Sequence, residues 1–193
     1  MIQKEKRKIY IIPGLGESTR KRCYMKIMEF AKKSGFSVVP INIKWKLDMY
    51  MDDFIRQANK EIPNNIKNDY ILGFSFGAYI TAVLSKKKKA KGFIFCSLSP
   101  YFKDDLNSIP DKSKKYFGKK MMNDFKKYLF PNKNSGLAYF LIGEKDWDIA
   151  INRTEKSYKI WKGKKEKYII KNTEHDLSTK NYVKTLKEII KKL

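Results

Sequence analysis

One short string carries the residue types for acyl transfer. Gly73-Phe74-Ser75-Phe76-Gly77 follows the apolar run Tyr70-Ile71-Leu72 and leads into residues with helical character. A strand that turns at once into a helix forces the turn residue into a sparsely populated backbone conformation. Glycines two positions away on either side let other backbone pass close. A serine there is held out at the tip, at the helix N-terminus. Negative charge developing at that point meets free N–H groups and the positive end of the helix dipole. The competing reading is a glycine-rich turn with an incidental serine. The strand before the string and the helix after it weigh against that reading.

A serine hydroxyl needs a base, and histidine is the usual one at neutral pH. The chain has a single histidine, His175, in Asn172-Thr173-Glu174-His175-Asp176, just past the last strand-like run. Its position after a strand places it on the same rim as Ser75. A third group should orient the imidazole and stabilise its protonated form. Gly143-Glu144-Lys145-Asp146-Trp147-Asp148 follows the apolar run Leu137–Ile142. Asp146 is the choice, with Asp148 as rival and Glu144 behind it. Asp104 and Asp105 are more distant candidates. The oxyanion needs two donors. Phe76, the residue after the nucleophile, offers one N–H. The turn Pro13-Gly14-Leu15-Gly16 offers the second, from Leu15, because Gly14 and Gly16 let backbone approach a ligand. Gly14-Leu15-Gly16 lacks the third glycine of a dinucleotide-binding loop.

These residues must be positioned by alternating elements. Strands are expected at Lys8–Ile12, Phe36–Ile43, Tyr70–Leu72, Gly92–Cys96, Leu137–Ile142 and Lys167–Lys171. Helices are expected at Arg20–Lys33, Asp48–Glu61 with Asp48 as N-cap, Phe76–Lys86, Asn152–Trp161 and Thr179–Lys192. Such alternation implies an α/β three-layer sandwich, a mostly parallel six-stranded sheet with helices on both faces and sites at the carboxyl ends of its strands. The stretch Pro100–Ser135 breaks the alternation. It mixes lysines with Tyr101, Phe102, Tyr116, Phe117, Phe125 and Phe130. A structureless loop of that length is uncommon in a compact domain, so it should hold one or two short helices over the sheet edge or over a site.

Composition narrows the classes. The 193 residues fit one domain, 1–193, with 100–135 as a lid-like insertion. No apolar run reaches the ~20 residues of a membrane span. The basic start Met1–Lys8 precedes too short an apolar run for a signal peptide, so a cytoplasmic location is expected. Cys23 and Cys96 sit in no metal or redox spacing and read as small apolar residues. No metal site and no cofactor is expected. The net charge of +23 comes from 43 basic against 20 acidic residues. Arginine, the residue that forks onto phosphate, occurs only at Arg7, Arg20, Arg22, Arg56 and Arg153. A lysine excess of this kind reads as compositional bias, and no specific nucleic-acid partner is expected.

With these residues in hand, the chain resembles the α/β-hydrolase superfamily. The order Ser75, Asp146, His175 is that superfamily's triad order. Gly73–Ala78 looks like its nucleophile elbow and Gly143-Glu144-Lys145-Asp146 like its acid turn. Pro13 stands where many members carry histidine. The resemblance implies a compact version of the fold lacking the first two strands of larger members, with Pro100–Ser135 at the lid position. It implies hydrolysis of a carboxylic ester or acyl thioester, a small-molecule substrate, with an acidic acyl-carrier protein as a candidate partner. The competing classes are a catalytically inactive binding protein on the same fold and a binder of polyanions or anionic membranes.

Overall fold

A computed structural model describes residues 6–132 and 136–193. The start of the basic N-terminal stretch and the Ser135 end of the insertion lie outside those residues. Six strands form one sheet in the order β2-β1-β3-β4-β5-β6. They are β1 (Lys8–Ile12), β2 (Ser37–Pro40), β3 (Asn65–Phe74), β4 (Lys89–Cys96), β5 (Leu137–Gly143) and β6 (Lys165–Ile170). Every pairing is parallel, so the sheet is wholly rather than mostly parallel. The helices are α1 (Arg22–Lys33), α2 (Met51–Glu61), α3 (Phe76–Leu84), α4 (Asp111–Lys127), α5 (Asp148–Ile160) and α6 (Lys180–Lys192).

The period-two alternation within each strand sorts the core into two layers. Ile9 and Ile11 pack with Tyr24, Ile27, Tyr182 and Leu186 under α1 and α6. Tyr10 and Ile12 pack on the other face with residues of α2, α3 and α4 and with Trp161, just past α5. α3 is buried along nearly its whole length, from Gly77 to Leu84. That explains its even hydrophobicity, where α1 and α6 show one apolar stripe.

Several expected boundaries move, each for a physical reason. α2 begins at Met51, not Asp48. Its N-cap is Tyr50, whose backbone N–H donates to Asp53 Oδ2 at 3.0 Å. Asp53 lies three residues into the helix, where a carboxylate reaches back to the cap. β2 stops at Pro40 because its neighbour β1 ends at Ile12; the last bond between them is Ile41 N–H to Ile11 O at 2.9 Å. β3 starts five residues early, because Asn65 and Ile66 pair with Lys89 and Ala90 across an irregularity before Tyr70. α5 starts at Asp148, so the acid turn enters its helix directly.

The segment 100–132 holds a 3-10 turn at Asp104–Ser108 and α4, which breaks at Gly118 (φ 73, ψ 165). Its aromatic residues are anchors: Tyr101 stacks on Phe125 at 4.3 Å between centroids, and Phe102 lies 5.5 Å from Phe130. Tyr79 of α3 donates its O–H to the carbonyl of Tyr128 at 2.6 Å. Lys127 Nζ reaches Asp52 at 2.7 Å and ties α4 to the first turn of α2. No helix among the described residues is long and apolar enough to cross a membrane.

Candidate active site

β3 lies in the middle of the sheet, and its last residue hands the chain to α3 through Ser75. Ser75 has φ 54 and ψ −118, a conformation that β-carbon sterics disfavour. Its N–H donates to Cys96 O at 2.8 Å, which pins the turn to the end of β4. A β-carbon on Gly73 would lie 2.4 Å from the carbonyl oxygen of Gly77. One on Gly77 would lie 2.4 Å from the carbonyl oxygens of both Ile12 and Pro13. The two glycines are thus the contact faces by which the elbow touches its own helix and the end of β1.

The acid turn and the histidine loop are laced together. Gly143 ends β5, and a β-carbon there would meet Thr173 O at 2.3 Å. Glu144 N–H donates to Ile170 O, and Lys145 N–H to Thr173 O, each at 2.9 Å. Asn172, at φ 52, donates its N–H to Glu144 Oε2 at 2.9 Å. The chain after β6 is thereby turned back over the sheet toward β3. From β6 to β3 is three strand spacings, roughly 14 Å, and this loop lets His175 span them.

The three groups meet. His175 Nε2 lies 2.8 Å from Ser75 Oγ, and Nδ1 lies 2.7 Å from Asp146 Oδ1. With Nδ1 protonated, that nitrogen donates to the carboxylate and Nε2 accepts from the serine hydroxyl. The Asp146 side chain is fully buried and that of His175 is 10% exposed. Asp146 Oδ1 also accepts the Trp147 N–H at 2.7 Å. Oδ2 is buried with no hydrogen-bond partner among the described residues. All the hydrogen bonding of this buried anion falls on one oxygen, so a positive charge on the imidazole is its nearest compensation.

The other acidic candidates go elsewhere. Asp148 is exposed in the first turn of α5. Glu144 supports the histidine loop as described. Asp104 pairs with Lys156, and Asp105 with Arg153. Among the described residues, no group of three or more His, Cys, Asp and Glu side chains is placed to hold a metal ion. Cys96 is fully buried, which pushes its thiol pKa up.

Leu15 and Phe76 line the same cavity as Ser75 and His175. Phe76 is the first residue of α3, and first-turn N–H groups have no intrahelical acceptor. In the β1 turn, Gly14 and Gly16 (φ 72) flank Leu15. Gly14 N–H is occupied: it donates to Tyr24 Oη at 3.0 Å, and Tyr24 O–H donates to Glu17 Oε2 at 2.5 Å. Leu15 N–H has no acceptor among the described residues. Burial, reinforced by Glu17, pushes the Tyr24 phenol well above its ordinary value and keeps it a donor. Tyr24→Phe leaves the buried Gly14 N–H without an acceptor. It is expected to destabilise the protein by about 1–3 kcal/mol in urea unfolding.

Tyr24 and Glu17 thus hold the turn, a role the sequence did not reveal, since Tyr24 reads there only as a core residue of α1. Trp147 was also missed. Its ring stacks on His175 at 4.0 Å and 7°, and Phe74 lies 5.3 Å away. Its only signal was adjacency to Asp146. The cavity measures about 580 Å³ and takes Ser113, Tyr116 and Phe117 from α4, so the segment 100–132 does border the serine.

A scan against protein-family models gives no match, and neither does a comparison with curated protein sequences. Solved structures do match over nearly the whole chain. α/β hydrolase domain-containing protein 10 from mouse superposes with a TM-score of 0.79 at 12% identity, covering 97% of this chain and 90% of that one. The fold is that of the α/β hydrolases. Est1E from Butyrivibrio proteoclasticus, solved with ferulic acid bound, gives a TM-score of 0.74 at 12% identity, with 99% and 89% covered. A hyperthermophilic esterase from the archaeon Pyrobaculum calidifontis gives 0.65 at 12% identity, with 97% and 77% covered. Within the α/β-hydrolase fold, Ser75 follows β3, Asp146 follows β5 and His175 follows β6.

Proposed function

We propose that this protein is a serine hydrolase that cleaves a carboxylic ester or acyl thioester through a covalent acyl-enzyme. The observation that carries the reading is the continuous relay from Ser75 Oγ through both nitrogens of His175 to buried Asp146, with the serine on a strained turn. Strain at that point is consistent with a residue held for chemistry rather than for packing.

In this mechanism Ser75 Oγ attacks the substrate carbonyl carbon while its proton passes to His175 Nε2. The carbonyl oxygen becomes an oxyanion held by the N–H groups of Phe76 and Leu15. Loss of one such donor typically raises the barrier by about 3 kcal/mol. The tetrahedral adduct collapses and breaks the bond to the leaving oxygen or sulfur, which departs with the electron pair and takes the proton from Nε2. Water then attacks the acyl-serine with His175 again as base, and the acid product leaves with Ser75 regenerated. Asp146 holds the imidazole in the right tautomer and offsets the charge it gains. Aromatic walls from α3 and the segment 100–132 supply an apolar seat for the substrate. The esterase among the structural likenesses supports an ester over an amide.

A fluorophosphonate probe tests the reading. Wild type is expected to label stoichiometrically on Ser75, and Ser75→Ala not at all. An unlabelled wild type, or undiminished labelling of Ser75→Ala, would turn the reading toward an inactive binding protein on the same fold.

A further inference from the structure

Arg153 is the one arginine whose side chain enters the cavity that holds Ser75. It sits on α5 and is 7% exposed, while most bases of this chain are lysines in solvent. Removing a guanidinium from water is expensive unless its donors find partners. One edge is satisfied: Nε donates to Asp105 Oδ2 at 3.0 Å. The same oxygen accepts the Phe102 N–H at 3.1 Å, so Asp105 is fixed behind the arginine. The group lies 4.1 Å over the Tyr101 ring. At the other edge, Nη1 has a long 3.4 Å contact with Ser99 Oγ, and the Tyr101 hydroxyl is a further hydrogen-bond neighbour of the guanidinium. Ser99, Tyr101 and Arg153 all border the cavity.

An arginine held through Nε at the border of a largely apolar cavity offers a guanidinium fork, the group that takes a carboxylate in two parallel hydrogen bonds. Glu17, the cavity's acidic residue, does not compete for it: its carboxylate is engaged by Lys21 at 2.7 Å and by Tyr24. Resting on the serine-hydrolase reading, we infer that Arg153 selects substrates bearing a carboxylate away from the scissile bond. The substrate class is then an ester or thioester with one free carboxylate. The shared chemistry fits a carboxylate on the acyl part or on the alcohol part.

Matched pairs separate these cases and test the inference. For the acyl side, the p-nitrophenyl monoester of glutaric acid is compared with p-nitrophenyl pentanoate. For the alcohol side, 4-butyryloxybenzoate is compared with phenyl butyrate. Wild type should favour the charged member of one pair by tenfold or more in kcat/KM. Arg153→Gln should lower that charged-to-neutral ratio by at least tenfold, with Arg153→Lys recovering only part of it. A ratio near one in wild type for both pairs, or a ratio unchanged in Arg153→Gln, overturns the inference and leaves the hydrolase reading intact. If Arg153→Gln does not fold, competition in wild type decides: glutarate should inhibit hydrolysis of the neutral ester far more strongly than 1-pentanol does, and equal inhibition overturns the inference. Calorimetric titration of wild type with glutarate stands apart from turnover. Binding weakened tenfold or more in Arg153→Lys supports the site even in a protein that hydrolyses nothing, and no binding to wild type refutes it.

Discussion

His175→Ala is expected to lower ester turnover by about five to six orders of magnitude, and adding Ser75→Ala should cost almost nothing more. In the proposed mechanism the two residues act as one device. Without the imidazole the serine hydroxyl keeps its proton and is a poor nucleophile. Without the serine the imidazole has nothing to deprotonate in the acylation step. The chain has no second histidine to take over. The residual rate should come from the oxyanion donors and the cavity. Steady-state kinetics of the two single variants and the double variant checks this, with circular dichroism confirming the fold. Losses that multiplied in the double variant would mean independent roles and would contradict the relay.

The second large effect is on stability. Gly77→Ala is expected to cost about 3–5 kcal/mol, a loss of roughly 10 °C in melting temperature for a chain of this size. The added β-carbon would lie 2.4 Å from the carbonyl oxygens of Ile12 and Pro13. Both are backbone, at the point where β1 enters the Leu15 turn, so relief requires parting the elbow from β1. Gly118→Ala is the control. Gly118 has φ 73 and ψ 165 with open space around it, so an alanine there pays only for the backbone conformation, about 1–3 kcal/mol. Thermal unfolding of both variants separates a steric clash from the generic cost of losing a glycine.

The sequence was informative where one residue's chemistry suffices. The elbow glycines, the single histidine and the succession of strands and helices along the chain were all readable, because each follows from local periodicity or residue type. Asp146 could be preferred to Asp148 for its place just past β5, but the packing that seats its turn could not be read. It depends on Gly143 packing against Thr173, a contact between loops far apart in the chain. The start of β3 was equally hidden. Asn65-Ile66-Lys67-Asn68-Asp69 has little strand character and is extended because β4 pairs with it. Asp48 reads as a helix cap by type, but Asp53 reaches back to the true cap at Tyr50. Arg153 and Asp105 are 48 positions apart, and nothing local joins them.

The lacing of the β5 and β6 loops bears on how the molecule fails. Glu144, Lys145, Thr173 and Asn172 bind the two loops by backbone and side-chain bonds. Local opening tends to involve contiguous cooperative units. An excursion that lifts His175 therefore carries the Asp146 turn with it, while Ser75 stays anchored to Cys96 between central strands. A half-open molecule then holds a bare serine hydroxyl with neither base nor acid beside it. On the proposed mechanism, such breathing would switch the site off cleanly, without exposing an activated nucleophile to whatever drifts past.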